Sequence, residues 1–284
     1  MLSVLKIGGS VLRDEASFAS VARTLASRLA ESRDERLVVI VSAEYGATDA
    51  LLAEARAIAG EPDPAALDLL WSTGELRSVA RLTLHLRAQG VAAVPFNVHQ
   101  TGLVAAPGGR PGSATVRPLR LLAALDETRA VVVPGFLAVG TGGAIASLGR
   151  GGSDLTALLL AAALEVDRCE LIKDDPGYFT ADPNREASAQ PIEELTLERA
   201  LDMADAGCDL VQRHALEAAR DAALVLVVRS LDDQAPITFV RPHSISATDH
   251  TDHTTEHGRI DLFSATDRTD EHGRIDLFSE RIYA

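Results

Sequence analysis

Leu2-Ser-Val-Leu-Lys-Ile7 and the Gly8-Gly9-Ser10 that follows it carry the strongest indication of the fold. The run is short and almost entirely apolar, as is typical of strands buried on both faces of a parallel sheet. Residues 37–42 have the same character and end in a serine. Helical patterns, with apolar residues at three- and four-residue spacing, follow over 16–32 and 65–89. The order strand, helix, strand, helix predicts an α/β fold.

The alternation continues along the chain. Further strands are predicted at Val91–Phe96, Ala130–Pro134, Arg168–Ile172 and Ala223–Val228, and further helices at Ser153–Leu164, Thr196–Gly207 and Val211–Ala222. Residues 101–117 and 137–148 are rich in Gly, Ala and Pro without a helical pattern, so hairpins or flaps are expected there. The whole predicts a three-layer α/β/α sandwich with a mostly parallel central sheet, in which ligands gather at the carboxyl ends of the strands.

Composition and charge exclude several classes of function. The 284 residues are 46% hydrophobic and carry a formal net charge of −14. Nucleic acids and anionic membranes need clustered Lys and Arg, so neither is an expected partner, and an anionic substrate would need a local cationic pocket. The longest apolar run, Leu155–Leu164, falls short of the roughly 20 residues that cross a bilayer. With only Cys169 and Cys208 and no export signal, a cytoplasmic protein without a disulfide framework is expected.

The end of the chain is expected to be separate from the rest. Residues 241–284 form an acidic, His-containing tail that repeats itself at a period of 15, with Thr251–Ser264 matching Thr266–Ser279. A repeat this short cannot bury a core, so the predicted division is a domain over 1–240 and a tail over 241–284. Arg-Ile-Asp-Leu-Phe in each copy alternates polar and apolar residues, so the two copies could form a small hairpin on the domain or on a partner subunit.

The tail histidines raise the question of a metal site. His250, His253 and His257 have spacing that could suit a metal, and His272 lies in the second copy. Arg268 stands in the second copy where the first has His253, and no cysteine accompanies these residues. We therefore favour the interpretation that they bind no metal.

Two segments indicate chemistry on anions. Lys6-Ile-Gly8-Gly9-Ser10 is a strand that ends in two glycines, where backbone N–H groups can approach phosphate oxygens beside a lysine. Leu148-Gly-Arg-Gly-Gly-Ser-Asp-Leu-Thr156 has three glycines in four positions at the start of a helix, whose dipole favours anions. Within it, Arg150 can hold a carboxylate, and Asp154 can position a lysine or take part in a magnesium network. A simple turn and a capped helix are the alternatives.

Six motifs follow one another along the chain: Lys6-Ile-Gly-Gly-Ser10, Val41-Ser-Ala43 with Gly46 and Thr48-Asp49, Gly74-Glu75, Pro134-Gly-Phe136, Leu148-Gly-Arg-Gly-Gly-Ser-Asp154 and Thr180-Ala-Asp-Pro183. In their order and approximate spacing they resemble the catalytic domain of aspartokinases, in the amino-acid kinase superfamily, and the resemblance covers residues 1 to about 236. It implies the amino-acid kinase fold and transfer of the γ-phosphoryl group of ATP to the side-chain carboxylate of L-aspartate, giving 4-phospho-L-aspartate. It also implies a homodimer, and Mg²⁺ held by the ATP phosphates without direct side-chain ligands.

The resemblance also assigns roles to individual residues. The catalytic residues would be Lys6, which neutralises the transferring phosphoryl group, Asp154, which orients that lysine, and Arg150, which binds a carboxylate. Glu75 would bind the substrate ammonium group. The substrate-binding set is Ser42, Thr48, Glu75, Arg150 and Ser153. The nucleotide-binding set is Lys6, Gly8, Gly9, Ser10, Lys173, Asp174, Tyr178, Phe179 and Asp182.

Three segments depart from the family pattern. Lys173-Asp-Asp-Pro-Gly-Tyr-Phe179 replaces the usual Thr-Asp-Val-Asp-Gly-Val-Tyr, which leaves the nucleotide preference open. Gln212-Arg-His-Ala215 replaces His-Pro-Arg-Ala, and Glu44-Tyr-Gly-Ala47 replaces Met-Gly-Gly-Thr. Because Glu44 and Tyr45 are close to the expected substrate loop, the acceptor could be an aspartate analogue.

Three functions therefore compete. The leading hypothesis is an aspartate kinase, the second a related kinase for another small acid (an aspartate analogue, a carbamate or a phosphonate), and the third a catalytically silent nucleotide-binding homologue. Retention of Lys6, Arg150 and Asp154 disfavours the third, because charges that repel one another have no purpose without ligands. About 48 residues follow residue 236, too few for the paired regulatory domains that aspartokinases commonly carry, so feedback control of that type is not expected.

Overall fold

The computed structural model describes residues 1–106, 114–183, 185–232 and 234–242. The predicted tail, its repeat and its histidines lie outside the described residues, except for positions 241 and 242. No helix in the described ranges combines the length and apolar character needed to cross a membrane.

Strands and helices alternate through the described ranges. The strands are β1 Leu2–Ile7, β2 Arg36–Val41, β3 Ala93–Pro95, β4 Leu103–Ala105, β5 Ala114–Val116, β6 Ala130–Pro134, β7 Leu137–Val139, β8 Ile145–Ser147, β9 Arg168–Ile172, β10 Glu194–Thr196, β11 Val225–Arg229 and β12 Thr238–Arg241. The α-helices are α1 Glu15–Glu31, α2 Ala47–Ile58, α3 Pro64–Ala88, α4 Leu119–Glu127, α5 Gly152–Ala163, α6 Leu197–Asp205 and α7 Arg213–Asp221. Short 3₁₀ turns occur at Val98–Gln100 and Thr141–Gly143.

The central sheet has eight strands in the order β10-β12-β11-β9-β1-β2-β6-β3. Every neighbouring pair is parallel except β11 with β12. In β1, β2 and β6 nearly every residue is buried, as the unbroken apolar runs predicted. The predicted mostly parallel sheet is therefore confirmed.

Helices cover both faces of this sheet. On one face α1 and α3 pack on alternate residues of the central strands, with Phe18 and Leu82 fully buried against Leu5, Leu37 and their neighbours. On the other face α5, α6 and α7 pack on the remaining residues, with Leu160 at 0% exposure. The two hydrophobic cores therefore lie on the two faces of one sheet, which confirms the predicted three-layer sandwich.

A smaller sheet, in the order β5-β4-β7-β8, forms from the two Gly-rich segments. β7 and β8 pair antiparallel, as the hairpin expected over 137–148 requires, and β4 pairs antiparallel with β5. Helix α2 is not among the predicted elements, although Leu51, Leu52, Ala55 and Ile58 give it apolar residues at helical spacing.

Candidate active site

Two cavities lie at the carboxyl ends of the central strands, where an α/β sheet places its ligands. The first, of 430 Å³, is lined by residues from the ends of β1 and β2, the start of α2, the middle of α3 and the start of α5. It brings together the following predicted residues: Lys6, Gly9, Ser10, Ser42, Thr48, Glu75, Arg150, Ser153 and Asp154. The second, of 490 Å³, is lined by Ser10, Arg13, Lys173, Asp174 and residues around 231. Ser10 belongs to both cavities and marks their junction.

The register of two parallel strands places two lysines side by side. β1 and β9 are neighbours, and Lys6 is paired with Leu171. Side chains two residues apart on a strand share a face, so Lys173 follows Leu171 on the face that carries Lys6. Both ammonium groups therefore emerge under the start of α5.

Asp154 in the first turn of α5 receives both ammonium groups. Lys6 Nζ lies 2.9 Å from one carboxylate oxygen and Lys173 Nζ 2.7 Å from the other. Lys173 also donates a hydrogen bond to the Leu210 carbonyl. Burial alone would raise the pKa of Asp154, but the charges of Lys173 and Lys6 hold it well below its usual range. Asp154 is therefore a fixed anion that keeps two cations close together.

The pairing of Lys173 with Asp154 is a feature that motif matching does not reveal. The resemblance assigned Lys173 to the nucleotide, and it does line the second cavity. Burial lowers the pKa of Lys173, while Asp154 opposes that effect. The position of Lys173 could have been inferred from the strand register. A lysine that directly follows a buried strand next to β1 must lie beside Lys6.

Glu75 is an unusual carboxylate on α3. Its exposure is 4%, and its Oε2 atom has no hydrogen-bond partner among the described residues. Burial raises its pKa to about 8, although a backbone hydrogen bond at Ala43 and the charge of Lys6 act in the opposite direction. A buried acceptor without a partner is costly unless a ligand satisfies it, and an ammonium group would do so.

Two helix N-termini point to anion binding in the first cavity. α5 follows Gly151 and α2 follows Gly46, with φ of 74° and 75°, and neither helix start has a side-chain cap. Glycine adopts this left-handed backbone without strain. Gly152 and Asp154 of α5 and Ala47 of α2 already donate to preceding carbonyls. The amides of Ser153 and Thr48 in these first turns are therefore the ones left to face an anion, where the helix dipole favours negative charge.

Gly9 brings the two ligand loops into contact. A Cβ atom at this position would lie 2.7 Å from the Ala43 carbonyl oxygen, closer than such atoms approach. Only glycine lets the loop after β1 press against the loop after β2, so the first cavity keeps its shape.

Arg150 lies at the rim of the first cavity. Its side chain is 81% exposed and pairs with Asp209 at 3.3 Å. An exposed ion pair of this kind contributes little, so the guanidinium can exchange Asp209 for a substrate carboxylate at low cost.

The predicted nucleotide residues fall into two groups. Asp174 lies in the second cavity and accepts hydrogen bonds from Ser10 at 2.6 Å and from Arg13 at 3.4 Å. By contrast, Gly8, Tyr178, Phe179 and Asp182 do not line either cavity.

Each of these four has another environment. The Gly8 amide donates to the Ile172 carbonyl at 2.8 Å. Tyr178 is 2% exposed within the core, Phe179 forms a β-bridge with Pro191, and Asp182 pairs with Arg185 at 3.2 Å. A nucleotide role for these residues stays a prediction.

The departures in the substrate loop have clear positions. Glu44 pairs with Arg81 and lies 3.7 Å from Arg77, both on α3. Tyr45 is 64% exposed, and the Arg13 guanidinium lies 5.0 Å from the centre of its ring. Arg13 thus contacts both the substrate loop and Asp174, a connection that the motifs do not indicate.

Magnesium fits this site only if a bound nucleotide supplies most of the atoms that coordinate it. Across the described ranges, no group of three or more His, Cys, Asp and Glu side chains could hold a metal ion. Both oxygens of Asp154 are engaged by lysines. Nucleotide phosphates would therefore have to supply most of the coordination.

The sequence profile of the amino acid kinase family matches residues 1–230. The chain belongs to the amino acid kinase family. Aspartokinase from Thermus thermophilus is 37% identical over 243 residues, which cover 84% of this chain. The chain spans 59% of the length of that relative.

Two solved structures share the amino acid kinase fold of this chain. Aspartate kinase from Synechocystis superposes with a TM-score of 0.76 at 35% identity, over 86% of this chain and 40% of that one. Aspartokinase III from E. coli, in complex with aspartate and ADP, superposes with a TM-score of 0.75 at 26% identity, over 86% of this chain and 65% of that one.

Proposed function

We propose that this chain is the catalytic domain of an aspartate kinase, which transfers the γ-phosphoryl group of ATP to the side-chain carboxylate of L-aspartate. The observation that carries the proposal is the cluster of Lys6, Asp154 and Lys173 at the junction of the two cavities. Two ammonium groups on one carboxylate make a site for a dense negative charge. The names of the similar proteins, and the aspartate and ADP bound to one of them, support this assignment.

The proposed reaction needs alignment more than proton transfer. A carboxylate oxygen of aspartate forms a bond to the γ-phosphorus, and the bond from that phosphorus to the bridging β-oxygen breaks. The products are 4-phospho-L-aspartate and ADP. The attacking carboxylate is already ionised, so no general base is required. The protein must hold two anions together and screen their repulsion.

The cations of the site would do this screening. Lys6 and Lys173 would stabilise the charge that gathers on the transferring phosphoryl group, and Asp154 would keep them in position without rearrangement. Mg²⁺, carried by the nucleotide phosphates, would add charge stabilisation when bound.

The first cavity would hold the amino acid. Glu75 would pair with its ammonium group, and Arg150 would bind a carboxylate. The uncapped helix starts at Gly46 and Gly151 would donate N–H groups to the carboxylates, together with the hydroxyl groups of Ser42, Thr48 and Ser153. This arrangement matches a small molecule with one ammonium and two carboxylate groups.

A related acid is the second candidate acceptor. Glu44 and Tyr45 line the cavity where the family usually has methionine and glycine, and Tyr45 is exposed there. A phenol at the rim could contact an added polar group on an aspartate analogue.

The test is to incubate the protein with Mg-ATP, hydroxylamine and a panel of acids, and to measure the acyl hydroxamate. The panel contains L-aspartate, D-aspartate, L-glutamate, succinate and a hydroxylated aspartate, and Lys6→Ala serves as the matched inactive enzyme. We expect L-aspartate to give the highest kcat/KM. Turnover of another acid without aspartate would favour the second candidate, and ATP binding without any hydroxamate would favour a silent homologue.

We also propose that the enzyme acts in the cytoplasm and as a homodimer, as the family resemblance implies. Light scattering on the purified chain should give a mass near twice 30.0 kDa. A monomeric mass at micromolar concentration would contradict the dimer.

A further inference from the structure

A third cavity, of 630 Å³, lies between α1 and the strands β9, β11 and β12. Alternation along β9 and β11 directs Arg168, Glu170, Val227 and Arg229 towards it. None of its lining residues belongs to the two cavities of the kinase site. It is therefore a separate place on the molecule.

Positive charge is concentrated in this groove. Its lining includes four arginines, Arg23, Arg28, Arg168 and Arg229, but only two carboxylates, Glu31 and Glu170. The chain as a whole has a formal net charge of −14. A local excess of cations in an acidic protein is a specific arrangement, because the average surface would repel an anion.

Arg28 is held in place at the base of the groove. Its Nη2 atom lies 2.8 Å from Glu35 and 2.7 Å from Glu170, and both carboxylates are almost fully buried. Ser3 donates a further hydrogen bond to Glu35 at 2.6 Å. One guanidinium is therefore shared by two buried carboxylates, so Arg28 is a fixed part of the groove lining and adds no net positive charge for a ligand.

Arg23 and Arg168 are available for a ligand. Neither makes a hydrogen bond or a close ion pair with any described residue, and both residues are exposed, while the charge of Arg168 helps to lower the pKa of Glu35 from a longer distance. They come from two different elements, α1 and β9, that line the same groove. Two guanidinium groups from two elements can bind one phosphate or carboxylate in a bidentate manner.

The floor of the groove is apolar towards β12. Val227 is 6% exposed, and Ile237 and Phe239 line the same cavity. The Arg241 guanidinium lies 5.4 Å from the centre of the Phe239 ring. A cavity of this volume that combines an apolar floor with a few convergent charges suits a metabolite-sized molecule.

We propose that this groove binds a small organic anion, with its phosphate or carboxylate group between Arg23 and Arg168 and its apolar body on Val227 and Phe239. Phosphate esters and carboxylates share this chemistry, and the groove accepts either through the same guanidinium groups. It is a second ligand site, in addition to the kinase site.

The test is calorimetric titration of the full chain with phenyl phosphate, which has both an anionic group and a ring, with inorganic phosphate and benzoate as the two comparison probes. Arg23→Gln with Arg168→Gln should weaken phenyl phosphate binding at least tenfold, because each lost charge-assisted contact accounts for about that factor. Arg56→Gln with Arg120→Gln is the matched control, since both arginines are exposed on other helices, and it should leave the affinity unchanged. Thermal unfolding of both double variants checks that they remain folded.

Lys6→Ala separates this groove from the kinase site. Phenyl phosphate binding that survives Lys6→Ala and fails in Arg23→Gln with Arg168→Gln supports the proposal. Stronger binding of inorganic phosphate than of benzoate would identify a phosphate ester as the better ligand, and the reverse a carboxylate. Equal affinity in the wild type and the groove variant, loss of binding in Lys6→Ala, or no heat from any probe up to about 10 mM would overturn it.

Discussion

Replacement of Glu75 by glutamine should raise the stability of the domain and weaken its binding of aspartate. Burial raises the pKa of Glu75 to about 8 from its ordinary value of 4.5. The folded state therefore binds a proton that the unfolded state releases, and stability falls as pH rises from the unfolded pKa to the folded one. A glutamine amide does not titrate, so the Glu75→Gln variant escapes this loss.

The magnitude follows from the same shift. One pKa unit corresponds to about 1.4 kcal/mol, so the loss in the wild type reaches about 2 kcal/mol at pH 6 and approaches about 5 kcal/mol above pH 8. Urea unfolding of wild type and Glu75→Gln at pH 5, 6, 7 and 8.5 measures this difference. The advantage of the variant should be small at pH 5 and increase with pH. Glu54→Gln, an exposed change on α2, is the control and should follow the wild type.

The affinity of the wild type for aspartate should increase with pH, whereas its stability decreases. With a pKa of about 8, Glu75 is about one tenth ionised at pH 7 and about nine tenths ionised at pH 9. The wild-type KM for aspartate should therefore fall about tenfold over this range relative to that of Glu75→Gln, measured by ADP release in a coupled assay. A constant ratio of the two KM values, together with parallel stability curves, would refute the view that Glu75 is a buried partner for ammonium.

Three further predictions concern the lysine cluster and the chain end. Lys6→Ala should lower kcat on the order of a hundredfold or more with little change in the KM for aspartate, because its charge is needed where the phosphoryl group gathers negative density; an equal change in both constants would contradict this role. Asp154→Asn leaves two buried ammonium groups without their shared carboxylate, so urea unfolding should show a loss of about 3–5 kcal/mol, and a loss below about 1 kcal/mol would show that the pair is not buried in solution. Truncation after Arg241 should leave a folded, active domain, since every motif precedes that residue; insoluble protein would instead indicate that the repeated segments pair with the sheet or bridge subunits.

Much of the fold was predictable because its signals are local. The strands β6 and β9 have the predicted bounds, and α1, α3 and α5 differ from prediction by one residue at each end. Buried parallel strands are continuous apolar runs, and helices that cover them carry an apolar stripe, so each element identifies itself without reference to its neighbours. Helix α2 was not predicted, although its sequence has apolar residues at helical spacing.

Part of the candidate site could be predicted: nine of the named residues line the first cavity, whereas Gly8, Tyr178, Phe179 and Asp182 line neither cavity. The electrostatics of the site could not be predicted. Lys173 lies 19 residues from Asp154 in sequence, and Lys6 is much further away; only the register of β1 with β9 brings all three together.

The sequence alone thus determined the layers of the fold, the order of most of its elements and nine residues that line the first cavity, because periodicity and motif spacing are properties of short segments. Tertiary structure alone decided that Glu75 is buried with a raised pKa, that Asp154 holds two lysines, and that arginines from α1, β9 and β11 face one groove. The physical reason is that burial and Coulomb interactions depend on distances between segments that are remote in sequence, and the packing of helices on a sheet sets those distances.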